Sequence, residues 1–128
     1  MSSPTTPKPA PKIDRFLRLM TTRGASDFHL TVGRPPMLRV SGSMEPIRYR
    51  TVSEADFVDL VRPAVPDRLW NEFTETGDTD LSYEVPGLAR FRVNLFRQQR
   101  GSGAVFRIIP TKIMTLEQLG MPEPISRL

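Results

Sequence analysis

Between residues 89 and 95 apolar and polar side chains alternate without a break. Phe91, Val93 and Leu95 fall on one register, Arg90, Arg92 and Asn94 on the other. A strand sends successive side chains to opposite faces, so this segment belongs in a sheet with one face on a core and the other in water. A second strand is expected over residues 104–109, with Gly101, Ser102 and Gly103 in the loop before it. If that loop is symmetric about residues 99 and 100, Arg92 lies directly across from Arg107. Cross-strand partners share a face, and like charges placed opposite are destabilising unless something negative sits between them. Two guanidinium forks aimed at one spot suit a phosphate, whose oxygens accept in bidentate fashion. A bulge at a loop glycine would break this register. The plainer reading of an arginine-rich hairpin is a solvated surface.

The rest of the chain supplies partners for that hairpin. Ile13, Phe16, Leu17 and Met20 recur at helical spacing ahead of Gly24, predicting a helix over residues 12–23. Phe28, Leu30 and Val32 alternate with His29 and Thr31 as a strand. Residues 37–42 and 44–48 read as two further strands about a turn at Gly42 and Ser43. Ser53 with Asp56 has the form of a capping box for a helix carrying Phe57, Leu60 and Val61, which Pro63 ends. Another helix opens at Asp67, buries Leu69, Trp70 and Phe73, and stops at Gly77. Leu81, Tyr83 and Val85 follow as a strand, and Thr115 caps a last short helix before Met121. The pattern is α+β: about six short, mostly antiparallel strands with helices packed on one face.

Charge is divided along the chain. Residues 53–84 hold nine acidic side chains against Arg62 and Arg68. Residues 85–112 hold none, against Arg90, Arg92, Arg97, Arg100, Arg107 and Lys112. An anionic partner is expected near the second stretch, whether phosphate, nucleic acid or an acidic protein face. Nucleic-acid binding would call for stacking aromatics among the arginines. Phe91 and Phe96 are present, but Phe91 falls on the core register, so no nucleic acid is expected. With no Cys and a single His, neither a disulfide framework, a thiolate metal site nor a His-rich metal site is available. No stretch approaches the ~20 apolar residues of a membrane span, and the polar, proline-rich start lacks the apolar core of a secretory signal. A cytoplasmic location is expected.

A phosphate-cradling G-x-x-x-x-G-K-[ST] run does not occur in these 128 residues, nor does a nucleophile elbow. Several ordered blocks nevertheless resemble one family. Residues 25–30 (ASDFHL) resemble the A-S-D-L-H-L of the twitching-motility, PilT-type ATPases, and residues 33–40 (GRPPMLRV) their G-x-P-P-M-x-R-V. Residues 83–94 (YEVPGLARFRVN) resemble F-E-V-P-G-x-A-R-F-R-V-N. Residues 100–110 (RGSGAVFRIIP) resemble R-G-x-G-A-V-F-R-x-I-P, and residues 116–120 (LEQLG) resemble L-x-x-L-G.

Residues 1–11, proline-rich and without apolar periodicity, read as a flexible tail outside the resemblance. The resemblance implies a PAS-like N-terminal domain over 12–120 and, at 121–128, the start of a linker to a RecA-like ATPase domain. It implies a homo-hexamer, peripheral to the inner membrane and partnered with a pilus platform protein, that uses ATP and Mg²⁺ in the intact protein. No cofactor is expected on this segment alone, which should be inactive by itself. By this resemblance Arg92 and Arg107 are arginine fingers. Asp27 and His29 couple the domain to the nucleotide and to its neighbour, while Arg97 and Arg100 are interface candidates. From the residues alone, Asp27 is equally a turn or cap residue, His29 a hydrogen-bonded histidine at a strand end, and Arg97 and Arg100 solvated. The alternative function is a stand-alone PAS-like ligand- or protein-interaction module, without hydrolytic activity, whose mark would be a pocket inside the sheet.

Overall fold

The structure, a computed structural model, describes residues 10–110. Helix α1 (Ile13–Thr22) leads into three strands, β1 (Asp27–Thr31), β2 (Met37–Val40) and β3 (Ser43–Pro46). Two helices follow, α2 (Glu54–Val61) and α3 (Asp67–Thr76), joined through a 3₁₀ turn at Arg62–Ala64. Three more strands close the described chain: β4 (Asp78–Val85), β5 (Ala89–Gln98) and β6 (Gly101–Ile109). All six strands form one antiparallel sheet in the order β3-β2-β1-β6-β5-β4. It consists of two three-stranded meanders joined along a seam between β1 and β6. The helix predicted after Thr115 lies outside the described residues.

Local chemistry accounts for the element ends. The Asp56 backbone N–H donates to Ser53 Oγ at 3.1 Å and the Ser53 N–H donates to Asp56 Oδ2 at 3.0 Å, completing the predicted capping box. Arg50 adds two bonds to the same carboxylate. The turn between β2 and β3 is Ser41-Gly42 rather than Gly42-Ser43, because Val40 pairs with Ser43. Both turn residues have positive φ, 51° and 82°, which matches the twist of a two-residue hairpin.

One face of the sheet carries Phe28 and Leu30, Leu38, Phe106 and Ala104, and Phe91, Val93 and Leu95. These side chains are buried against Ile13, Leu17 and Met20 of α1, Phe57 and Leu60 of α2, and Phe73 of α3. Leu69 and Trp70 are only half-buried, contrary to the helix pattern. Trp70 lies at the edge of the aromatic cluster, edge-on to Phe73, with the Arg62 guanidinium over its ring. A polar contact also crosses the core: the Tyr83 hydroxyl of β4 donates to Asp14 Oδ1 of α1 at 2.6 Å, and Asp14 is buried. Since Phe16 of α1 stacks on Phe28 of β1, the helix spans the sheet from one meander to the other.

Gly101-Ser102-Gly103 is not loop. All three residues lie in β6, paired with Gln98, Arg97 and Phe96. Glycine is disfavoured in strands, but here close packing requires it. A Cβ on Gly103 would stand 2.4 Å from the Phe96 ring, and one on Gly101 would stand 2.7 Å from Glu54 Oε1. Between them, buried Ser102 donates through its N–H and its hydroxyl to Glu54, at 3.1 and 2.6 Å. The hairpin end is thereby tied to the first turn of α2.

Tyr83→Phe removes the sole side-chain hydrogen bond to buried Asp14 among the described residues and is expected to cost about 1–2 kcal/mol, read from urea denaturation. Burial, and then the bond to Asp14, raise the Tyr83 hydroxyl above its ordinary 10.0. The folded chain therefore keeps that proton after the unfolded chain has lost it. The contribution is complete below pH 10 and is lost as the pH rises beyond it. In Tyr83→Phe, this part of the alkaline loss of stability should vanish.

Candidate functional site

The face of the sheet opposite the helices carries the candidate residues. The register places them in rows across the strands. One row runs Arg39 (β2), Asp27 (β1), Arg107 (β6), Arg92 (β5) and Ser82 (β4); the next runs Met37, His29, Val105, Asn94 and Asp80. Arg92 does face Arg107, as the symmetric loop requires. The turn is residues 99 and 100, with no bulge in the ladder.

The negative group beside this pair comes from a strand 80 residues away in sequence. Arg107 donates from Nε to Asp27 Oδ1 at 2.7 Å. The Asp27 carboxylate is buried, 8% exposed, at the start of β1. Its Oδ2 accepts from the Ser26 hydroxyl at 2.9 Å and lies 3.7 Å from Arg39 Nε. Burial raises the Asp27 carboxyl, but the bonds from Arg107 and Ser26 and the Arg107 charge outweigh it. The group titrates below its ordinary 3.8. Asp27 is therefore an ionised strand residue, not a turn or cap. Arg92 makes no ion pair among the described residues. Three guanidiniums share the row with one carboxylate, which lies between Arg39 and Arg107, so the row is cationic and the Arg92 charge is not offset by an ion pair among the described residues.

His29, Asp80, Arg92, Asn94, Val105 and Arg107 line a shallow hollow of about 340 Å³. Asn94 Nδ2 donates to both Asp78 Oδ1 (3.2 Å) and Asp80 Oδ1 (3.1 Å), so the β4 rim is acidic and the arginine side basic. His29 also borders a second hollow with Arg34, Met37, Met44 and Phe96. It sits in mid-strand, half-buried, and its Nε2 is buried with no hydrogen-bond partner among the described residues. Burial lowers its pKa below the ordinary 6.5. The Asp27 charge opposes this, and those of Arg39 and Arg107 reinforce it.

Arg97 and Arg100 do not join the row. Arg97 points to the helix side, its guanidinium 5.0 Å from the Phe73 ring centre. Arg100 occupies the turn and donates to the Gly33 carbonyl at 3.3 Å. Phe91 is fully buried on the core face and cannot stack on a base, while Phe96 lies across Gly103. Arg39 and Ser26 were not among the residues singled out from the sequence. The signal for Arg39 was its place in the strand alternation of residues 37–40.

No family model matches the chain. Among curated proteins it is 45% identical over 115 residues to the type IV pilus retraction ATPase PilT of Pseudomonas aeruginosa, an alignment covering 90% of this chain and 33% of that protein. Among solved structures it resembles the pilus retraction motor PilT with bound ADP, with a TM-score of 0.72 and 28% identity over 90% of this chain and 34% of that one. It also resembles the Legionella pneumophila ATPase DotB, with a TM-score of 0.68 and 25% identity over 94% of this chain and 35% of that one. The chain is homologous to the N-terminal region of the PilT-type ATPases, within the secretion ATPase superfamily. It spans about a third of the length of the curated relatives it matches. None of the described helices is long and apolar enough to cross a membrane.

As the only histidine, His29 gives an unambiguous NMR titration. Its midpoint is expected below 6.5, and Arg39→Ala, which removes a nearby positive charge, should raise it. Because the folded-state value is the lower one, the unfolded chain binds the proton first. The associated stability is present above pH 6.5 and declines as the pH falls through that value.

Proposed function

We propose that this domain presents Arg92 and Arg107 to the phosphates of an ATP molecule held by a RecA-like domain of the intact motor, within a ring of six subunits that drives pilus retraction. The observation that carries this reading is the facing pair itself. Arg92 has no ion-pair partner among the described residues, and it stands beside an Arg107 whose terminal amino groups make no hydrogen bond there, at the rim of an open hollow. The residues fit a polyphosphate on the basic side of that hollow, where the fork geometry matches phosphate oxygens. Bound ATP with Mg²⁺ would supply the transferable phosphoryl group. The two arginines would bind its oxygens and offset charge that develops during transfer. His29, between the two hollows with an unpartnered Nε2, is suited to couple the domain to whatever covers this face.

The remaining parts of the proposal rest on homology: the PAS-like label, the domain limits, the interface roles of Arg97 and Arg100, the pilus platform partner, and the place beside the inner membrane. A stand-alone ligand module would use a cavity between the sheet and its helices. That space holds Phe28, Phe57, Phe73, Phe91 and Phe106, all fully buried.

In the intact protein, Arg92→Ala and Arg107→Ala are each expected to lower ATP turnover by about 10³-fold, the lower range for an arginine finger. A steady-state ATPase assay in which both variants turn over normally would remove them from the site.

A further inference from the structure

The contact between Arg107 and Asp27 has a chemical consequence beyond charge balance. A guanidinium offers two bidentate edges, one formed by Nε with a terminal nitrogen and one by the two terminal nitrogens. Asp27 occupies the Nε position, at 2.7 Å, and the two terminal nitrogens make no hydrogen bond among the described residues. The Arg107 side chain is otherwise 67% exposed, and an exposed arginine samples many rotamers. A buried carboxylate at the root of the fork removes that freedom and leaves the outward edge available. Asp27 is itself fixed: its backbone belongs to β1, and its second oxygen accepts from the Ser26 hydroxyl at 2.9 Å. Arg39 Nε stands 3.7 Å away on the opposite strand.

From this geometry we propose that Asp27 is the positioning residue of Arg107, aiming its terminal nitrogens out of the sheet, with Ser26 and Arg39 holding Asp27 in turn. The proposal rests on the reading of Arg107 as a phosphate-directed group. It differs from a simple neutralising role, in which Asp27 would weaken the arginine's hold on an anion. Here the carboxylate gives up some positive potential and gains orientation, which matters for a group that acts on a transient charge distribution. Arg92 has no such anchor among the described residues. The two arginines are thus unequal, one pre-aimed and one free to follow the ligand.

The test uses the full-length ATPase and a double-mutant cycle. Asp27→Asn is expected to lower kcat for ATP about 10-fold to 10²-fold, as a small misplacement of a catalytic group does, with KM little changed. Arg107→Ala should lower kcat further. Asp27→Asn added to Arg107→Ala should change kcat less than twofold again, because a residue that acts only through Arg107 has nothing left to position. An additional large loss in the double variant would overturn the proposal, since Asp27 would then act on something else. Normal turnover in Asp27→Asn beside an inactive Arg107→Ala would also overturn it, while leaving the role of Arg107 intact. Normal turnover in Arg107→Ala would remove the underlying reading and the proposal together. If Asp27→Asn does not fold, Ser26→Ala, an exposed change that removes one bond to the carboxylate, is expected to lower kcat about threefold. An unchanged kcat in Ser26→Ala would overturn the proposal.

Discussion

The hydrogen bond from Arg107 to Asp27 exists because β1 and β6 lie side by side, and most of the molecule depends on that pairing. It joins the two meanders into one sheet, aligns Phe28 with Phe106 and Leu30 with Ala104 over the core, and builds the charged row on the other face. A one-residue slip along this seam would send the whole apolar set of a strand to the solvent face. The aromatic packing beneath therefore enforces the alignment of the charges above. Core and candidate site share one register and are not independent parts.

The helices serve this register from below. α1 contacts both meanders, through Phe16 on Phe28 and Asp14 beneath the Tyr83 hydroxyl. α2 holds the tip of the last hairpin through Glu54 and Ser102, at the cost of two positions, Gly101 and Gly103, where no side chain fits without displacing a neighbour. The glycines that give this hairpin its sequence signature are thus explained by contacts on both of its faces. Gly101 makes room for a carboxylate from α2 and Gly103 for an aromatic ring on the open side.

Features encoded over short distances were legible in the sequence. The alternation at Phe91, Val93 and Leu95, the Ser53–Asp56 cap and the stop at Gly77 depend on neighbours within one element. The Arg92–Arg107 pairing depends on a two-residue turn alone. The meaning of Asp27 was not legible in the same way, because periodicity does not say which distant strand will lie alongside. Its contact with Arg107 closes an 80-residue separation. Glycine's low strand preference suggested a loop at residues 101–103, and tertiary packing overrode it. Trp70 carried the helical periodicity of a core residue, yet it sits at the edge of the cluster under Arg62. Periodicity marks a face without measuring how deeply it is covered.

The order of strands has a further bearing on how this domain comes into being. During synthesis the first meander emerges complete, but the edge of β1 that will meet β6 stays open until about 60 more residues have followed. Contacts of such sequence separation form late and slowly, since the loop entropy between them must be overcome first. Through that interval Asp27 and Arg39 lie on one unit, and Arg92 and Arg107 on one not yet made. The four charged residues of the row therefore come together only when the two meanders dock. The hairpin alone can pair Arg92 with Arg107, but a nascent or misdocked chain cannot offer Arg107 held by Asp27.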